Sequence, residues 1–185
     1  GCNTLSTNTT GTQNTAVGSL ALDANTTANN NTAVGYDCLG ANSTGTENTA
    51  VGREAGQNNT TGYSNVFIGE KAGESNTTGH KNTVVGRLAF NTNTTGAQNT
   101  AIGMETLEKS TADNNTAVGF QALEENTSGA QNTAIGVQAL DENTTASENT
   151  AVGYAALGVN TTGTQNVAIG SRALTANTTS NNNTA

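Results

Sequence analysis

The most frequent reactive pattern in this chain is Asn-x-(Ser/Thr). It occurs on one recurring segment at Asn8, Asn25, Asn42, Asn59, Asn76, Asn93, Asn126, Asn143, Asn160 and Asn177. Each is an acceptor pattern for N-linked glycosylation. The segment around it, N-T-T-G, reads as an exposed turn, so a glycan on every copy would form a sugar-coated stripe on an extracellular protein. The competing reading is turn chemistry alone, since Asn and Gly tolerate left-handed conformations.

Other reactive side chains are few. His80 is the only histidine, so a nucleophile–base pair or a His-based metal site within one chain is not expected, and His80 reads as a solvated turn residue. Cys2 and Cys38 fall two repeats apart. At about 5 Å per repeat their Cα atoms lie roughly 10 Å apart, beyond the ~7 Å reach of a disulfide. Glu108, Glu124 and Asp141 recur at one repeat position, with Glu125 and Glu142 beside them. Stacked like charges repel, and a cation such as calcium would relieve them; the plainer reading is a solvated edge that discourages lateral aggregation. No catalytic residue, cofactor-binding residue or metal ligand is assigned.

These residues are placed by a repeat. With the Asn of N-T-A-V-G as position 1, it starts at Asn14, Asn31, Asn48, Asn65, Asn82, Asn99, Asn115, Asn132, Asn149 and Asn166. The interval is 17 except from 99 to 115, where one residue of the turn is missing. The whole chain, 1–185, is therefore one repeat array. Hydrophobic residues make up 32%, aromatics 3% and charged residues 11%, against roughly 45–50% apolar in an ordinary domain. The strict phase of Val/Ile and Gly argues against disorder, which needs no register.

The expected fold is all-β, a β-solenoid (parallel β-roll) of about eleven 17-residue coils with no helices. The period is too short for two-helix repeats, and no window carries helical spacing. Each coil is read as two short strands, T-A-V-G and x-x-A-L, with N-T-T-G as the turn. Proline is absent, as expected where each coil donates its N–H groups to a neighbour. Stacking turns the position-1 residues (Asn14 through Asn166) into an asparagine ladder, amide bonding amide. Position 4 is Val or Ile in every complete repeat and is expected to line the interior with Thr at position 2. Position 3, mostly Ala, then points outward and wants a partner.

N-T-A-V-G, N-V-F-I-G, N-T-A-I-G and N-V-A-I-G resemble the S-V-A-I-G motif of trimeric autotransporter adhesin heads of the YadA type. The longer N-T-A-V-G-x-x-A-L…N-T-T-G unit, with its variants at 51–56 and 65–73, looks like tandem arrays in tail-fibre-like surface proteins. The resemblance implies a left-handed parallel β-roll and a homotrimer, with Val/Ile filling each roll and the Ala column near the trimer axis. The family's head repeat is nearer 14 residues, and its anchor and stalk have no counterpart here.

The net charge of −8, from 14 acids and 6 bases, argues against nucleic acid and against an anionic membrane surface. No apolar run reaches the ~18 residues that span a bilayer. Without an initiator Met or signal sequence the chain reads as a mature or excised segment. Its two ends carry matching register, which would permit head-to-tail stacking into a filament. The expected role is a structural, non-enzymatic fibre or adhesin rod on the outside of a cell or virion. It would self-associate and meet a host-surface or glycan receptor. The alternative is a ligand-binding solenoid such as an ice-binding protein, weakened on this reading because strand Thr shares the core face.

Overall fold

A computed structural model describes residues 1–185. Ten strands of three residues each, β1 (Thr15–Val17), β2 (Thr32–Val34), β3 (Thr49–Val51), β4 (Val66–Ile68), β5 (Thr83–Val85), β6 (Thr100–Ile102), β7 (Thr116–Val118), β8 (Thr133–Ile135), β9 (Thr150–Val152) and β10 (Val167–Ile169), form one parallel sheet in chain order. Like repeat positions face each other, as in Thr32↔Thr49, Ala33↔Ala50 and Val34↔Val51. The fold is a helix-free β-solenoid. Its ten strands enclose nine turns rather than eleven, the last rung being reduced to a bridge between Val167 and Thr184.

Each coil contains one strand, not two. The x-x-A-L segment is a chain of turns because positions 7 and 9 both adopt positive φ, as Leu20 (61°) and Leu22 (51°) do in the first full coil. Left-handed residues cannot continue a strand. Their backbone groups still bond coil to coil: Leu22 N–H donates to Cys38 O (3.1 Å) and Ala24 N–H to Gly40 O (2.9 Å). That stacking holds non-glycine residues in a conformation costing about 1–2 kcal/mol each in isolation.

The two strand faces are the reverse of the expectation. Position 3 is inside: Ala33, Ala50, Phe67, Val84 and Ala101 are fully buried. Position 4 is outside: Val17, Val51, Ile68, Ile102, Ile135 and Ile169 are exposed, with Thr of position 2 on the same side. The cause is the narrowness of the coil. Position 8 (Ala21, Ala55) and position 9 (Leu22, Leu39) also point inward, so in most coils one Leu faces the single methyl of Ala, and the larger pair Val84 and Phe90 sits in the coil next to Gly73. The Ala column is therefore core, and the trimer-axis placement carried by the resemblance is corrected.

Candidate functional surfaces

Two asparagine columns flank this thin core, both buried. At position 1 the side-chain oxygen of Asn31 accepts the main-chain N–H of Asn48 (2.9 Å), and its Nδ2 donates to Gly45 O (2.9 Å). At position 12, Asn59 Nδ2 donates to Asn42 Oδ1 (2.8 Å) and to Gly62 O (3.0 Å). The amide-to-amide stack expected of position 1 is thus found most regularly at position 12. Outside the short coil and its neighbour, interior position-15 carbonyls accept from both columns, as Gly45 O does from Asn31 and Asn42 (2.9 Å each); Gly96 O accepts from Asn82 alone. Buried amides are tolerated because both ends of each are bonded.

This geometry corrects the exposed-turn reading of the Asn-x-(Ser/Thr) column. Asn25, Asn42, Asn59, Asn76, Asn93, Asn126, Asn143 and Asn160 are fully buried, and the amide nitrogen a glycan would occupy points into the coil. Asn8 and Asn177, in the outermost coils, are half-buried and bonded in the same way. The turn residues beside them face water. The hydroxyl of Thr60 donates to Thr77 O (3.0 Å), adding a threonine rung outside the asparagine one.

In the short coil, Ser110 stands where the ladder needs Asn. The Asn93 amide nitrogen donates to Ser110 O (2.7 Å). Asn76 Oδ1 and Asn93 Oδ1 are left without donors. The missing turn residue therefore interrupts the ladder as well as shortening the loop.

The remaining singled-out residues are dispersed. His80 stacks on Tyr63 (centroids 4.7 Å, 11° between planes). Cys2 is exposed and Cys38 buried, both as free thiols; burial pushes the Cys38 thiol up to about 12, which makes it inert as a nucleophile. Glu108, Glu124 and Asp141 stack in one column, and their carboxyls are raised first by burial and then by neighbouring acids: Glu105 for Glu108, Asp141 for Glu124, Glu142 for Asp141. No three of these acids converge as a metal-binding group. Lys109 pairs with Glu125 at the edge of the column.

Two surfaces escaped the sequence reading. One is a checkerboard of charge on coils three to five, with Arg53–Glu70 at 2.6 Å, Arg87–Glu70 at 3.5 Å and Lys71–Glu54 at 3.3 Å. Alternation keeps like charges from stacking on adjacent rungs. Arg53 holds the Glu70 carboxyl below its usual range. The other is the outward face of the sheet, a Thr column beside a Val/Ile column with no charged residue in either. The signal for it lay in the size of residue 67, because Phe replaces Ala at position 3 only where position 9 is Gly, at Gly56 and Gly73. Residues that exchange volume in this way share an interior.

No protein-family model matches the chain, and neither a curated protein nor a solved structure matches it. The fold and these surfaces define a β-solenoid built from a tandem repeat with internal asparagine ladders.

Proposed function

We propose that the protein is a structural rod, the shaft of a fibre or adhesin on the outer surface of a cell or virion, with a mechanical rather than catalytic role. The observation that carries this reading is the continuity of one hydrogen-bonded sheet through all ten strands in a single register, so that each added coil adds length and changes nothing else. At about 4.8 Å per rung the ten strands extend roughly 45–50 Å. Self-association of such rods, and contact with a host-surface or glycan receptor, belong to the same proposal. Small-angle scattering should give a uniform cross-section and a length near that figure per chain, and a compact sphere would contradict it. Antibody labelling of intact producing cells or particles tests the surface location.

A second reading, a ligand-binding solenoid such as an ice-binding protein, gains from the position of Thr. The Thr column stands outside beside Val/Ile instead of in the core, which gives a flat face of alternating hydroxyls and methyls. Thermal hysteresis and inhibition of ice recrystallisation test it, and their absence removes this reading.

A further inference from the structure

At the N-T-T-G corner each coil is tied to the next by its position-13 residue. The N–H and the hydroxyl of that residue both donate to the position-13 carbonyl of the following coil. Thr77 does so to Thr94 O (2.9 and 2.8 Å), and Thr127 to Thr144 O (2.8 and 2.9 Å). The pair of bonds recurs at every junction from Thr9–Thr26 to Thr161–Thr178 except one. Thr94 faces the coil that lacks a turn residue and makes neither bond, and the N–H of Thr95 is equally free. Both residues are exposed.

The asparagine ladder is cut at the same place. Asn93 donates to Ser110 O (2.7 Å) rather than to Asn76, and that one bond crosses the corner between positions 12 and 15. Just beyond the corner, Ala97 N–H reaches the flexible side chain of Asp113 (2.7 Å). The other walls of the junction are intact. β5 and β6 pair in register, with Thr83 N–H donating to Asn99 O and Gly103 N–H to Val85 O (2.8 Å each). Phe90 N–H donates to Thr106 O (2.9 Å) and Thr92 N–H to Glu108 O (3.0 Å).

A stack held along its walls and open at one corner can gape at that corner. At other interior junctions, gaping would break the position-13 pair and strand a buried ladder amide, which is costly. Here it breaks one ladder bond. It also admits water to Asn76 Oδ1 and Asn93 Oδ1, which are buried without donors while the corner is shut, and a buried acceptor without a partner is itself unfavourable. The gain of those two acceptors offsets the loss of the Asn93 bond.

We infer that the rod has a joint between the coil starting at Asn82 and the coil starting at Asn99. The coils on either side move as two stiff halves about the β5–β6 wall, and the Thr94 corner opens and closes. This rests on the rod reading above, to which it adds a place and a direction of bending.

The test uses the full chain with Cys2→Ser, leaving buried Cys38 unreactive. Two pairs of nitroxide-labelled cysteines straddle the junction. One pair, Thr61→Cys with Thr145→Cys, lies on the exposed corner, and the other, Val51→Cys with Ile135→Cys, on the exposed side of the sheet. Each pair spans five rungs, about 24 Å. Pulsed electron paramagnetic resonance should give a wider distance distribution for the corner pair than for the sheet pair. Ser110→Asn with a threonine inserted after Thr111 restores the seventeen-residue coil. In that background the corner pair should lose its excess width while the sheet pair is unchanged. Equal widths in the parent chain, or a corner distribution that the repair leaves as wide, would overturn the joint. Two narrow distributions near five rungs would leave the rod reading standing without a joint, whereas distances far short of five rungs on both pairs would remove the rod itself.

Discussion

The ring of Phe67 occupies the space that a side chain at Gly56 would need. A Cβ on Gly56 would lie 2.7 Å from Phe67 Cδ2 and 3.0 Å from Leu39 Cδ2. Gly73, in the same coil as Phe67, is blocked by the other edge of the ring. Both glycines keep the left-handed backbone of the Leu residues they replace, with φ of 58° and 60° against 51° at Leu39. Two coils have exchanged their leucines for one phenylalanine on the opposite wall.

Strong non-additivity follows for these three residues. Phe67→Ala alone opens a cavity and should cost about 3–5 kcal/mol. Gly73→Leu alone overpacks the same space and should cost at least about 1–3 kcal/mol. The triple change Phe67→Ala, Gly56→Leu, Gly73→Leu rebuilds the common coil and should recover most of the loss. Urea denaturation of the variants measures this, and simple additivity would contradict the shared interior.

Backbone conformation gives a pair of opposite effects. Gly69 has φ of 131°, and a Cβ there would sit 2.7 Å from the carbonyl carbon of Gly86. Gly69→Ala should therefore destabilise by about 2 kcal/mol or more, from strain at a Gly-only conformation together with the clash against the next coil. Ala155, with φ of 48°, is an alanine in a left-handed site, and Ala155→Gly should stabilise by about 0.5–1 kcal/mol. Thermal melts of the two variants should move in opposite directions.

The asparagine ladder should be unequal along its length. Asn143 donates to Asn126 Oδ1 (2.9 Å) and Ala146 O (3.0 Å) and accepts from Asn160 (3.2 Å). Asn143→Ala strands several buried partners and should cost about 1–3 kcal/mol. Asn93→Ala should cost distinctly less, because Asn93 Oδ1 and Asn76 Oδ1 already lack donors. Denaturation midpoints decide between this and equal losses. Amide hydrogen exchange should be fastest, among the interior coils, in the coil that contains Ser110.

Stability should depend on pH through the acidic column. Burial raises the carboxyls of Glu108, Glu124 and Asp141 above their ordinary values, so the folded state binds more protons than the unfolded one in that window. Their contribution is present below the unfolded values and is lost as pH rises through the folded ones. The melting temperature should therefore rise from neutral pH towards about pH 5. Glu70, lowered by Arg53, acts oppositely: its contribution is present above the unfolded value and is lost as pH falls through the folded one. Glu124→Gln should raise the neutral-pH melting temperature and flatten the rise; an unchanged pH profile would contradict the burial of this column.

The repeat length, the parallel stacking and the absence of helices were all legible in the spacing of Asn, Val/Ile and Gly. The direction of each strand face was not. Alternation says only that Ala and Val point opposite ways, and hydrophobicity favours Val for the core. What decides is the width of the coil, set by left-handed residues at positions 7 and 9, such as Leu20, Leu22 and Gln121, whose side chains advertise nothing of the kind. The asparagines misled for a related reason. N-T-T-G is a turn by composition, but Asn59 is needed inside that turn to bond carbonyls the tight backbone cannot reach. The exchange of Phe67 with Gly56 and Gly73 was the one sequence feature that fixed the inward face, and it required comparing coils rather than reading one.

The face assignment is tested most directly by placing one charge on each side of β8. Ala134 is fully buried and Ile135 is 41% exposed. Ala134→Asp should abolish cooperative unfolding and the β-type far-UV spectrum, since an unpaired carboxylate cannot be buried in so narrow a core. Ile135→Asp should keep the spectrum and melt within a few degrees of the parent chain. The reverse outcome, a tolerated Asp at 134 and an unfolded chain from Asp at 135, would put the Val/Ile column inside and contradict the account.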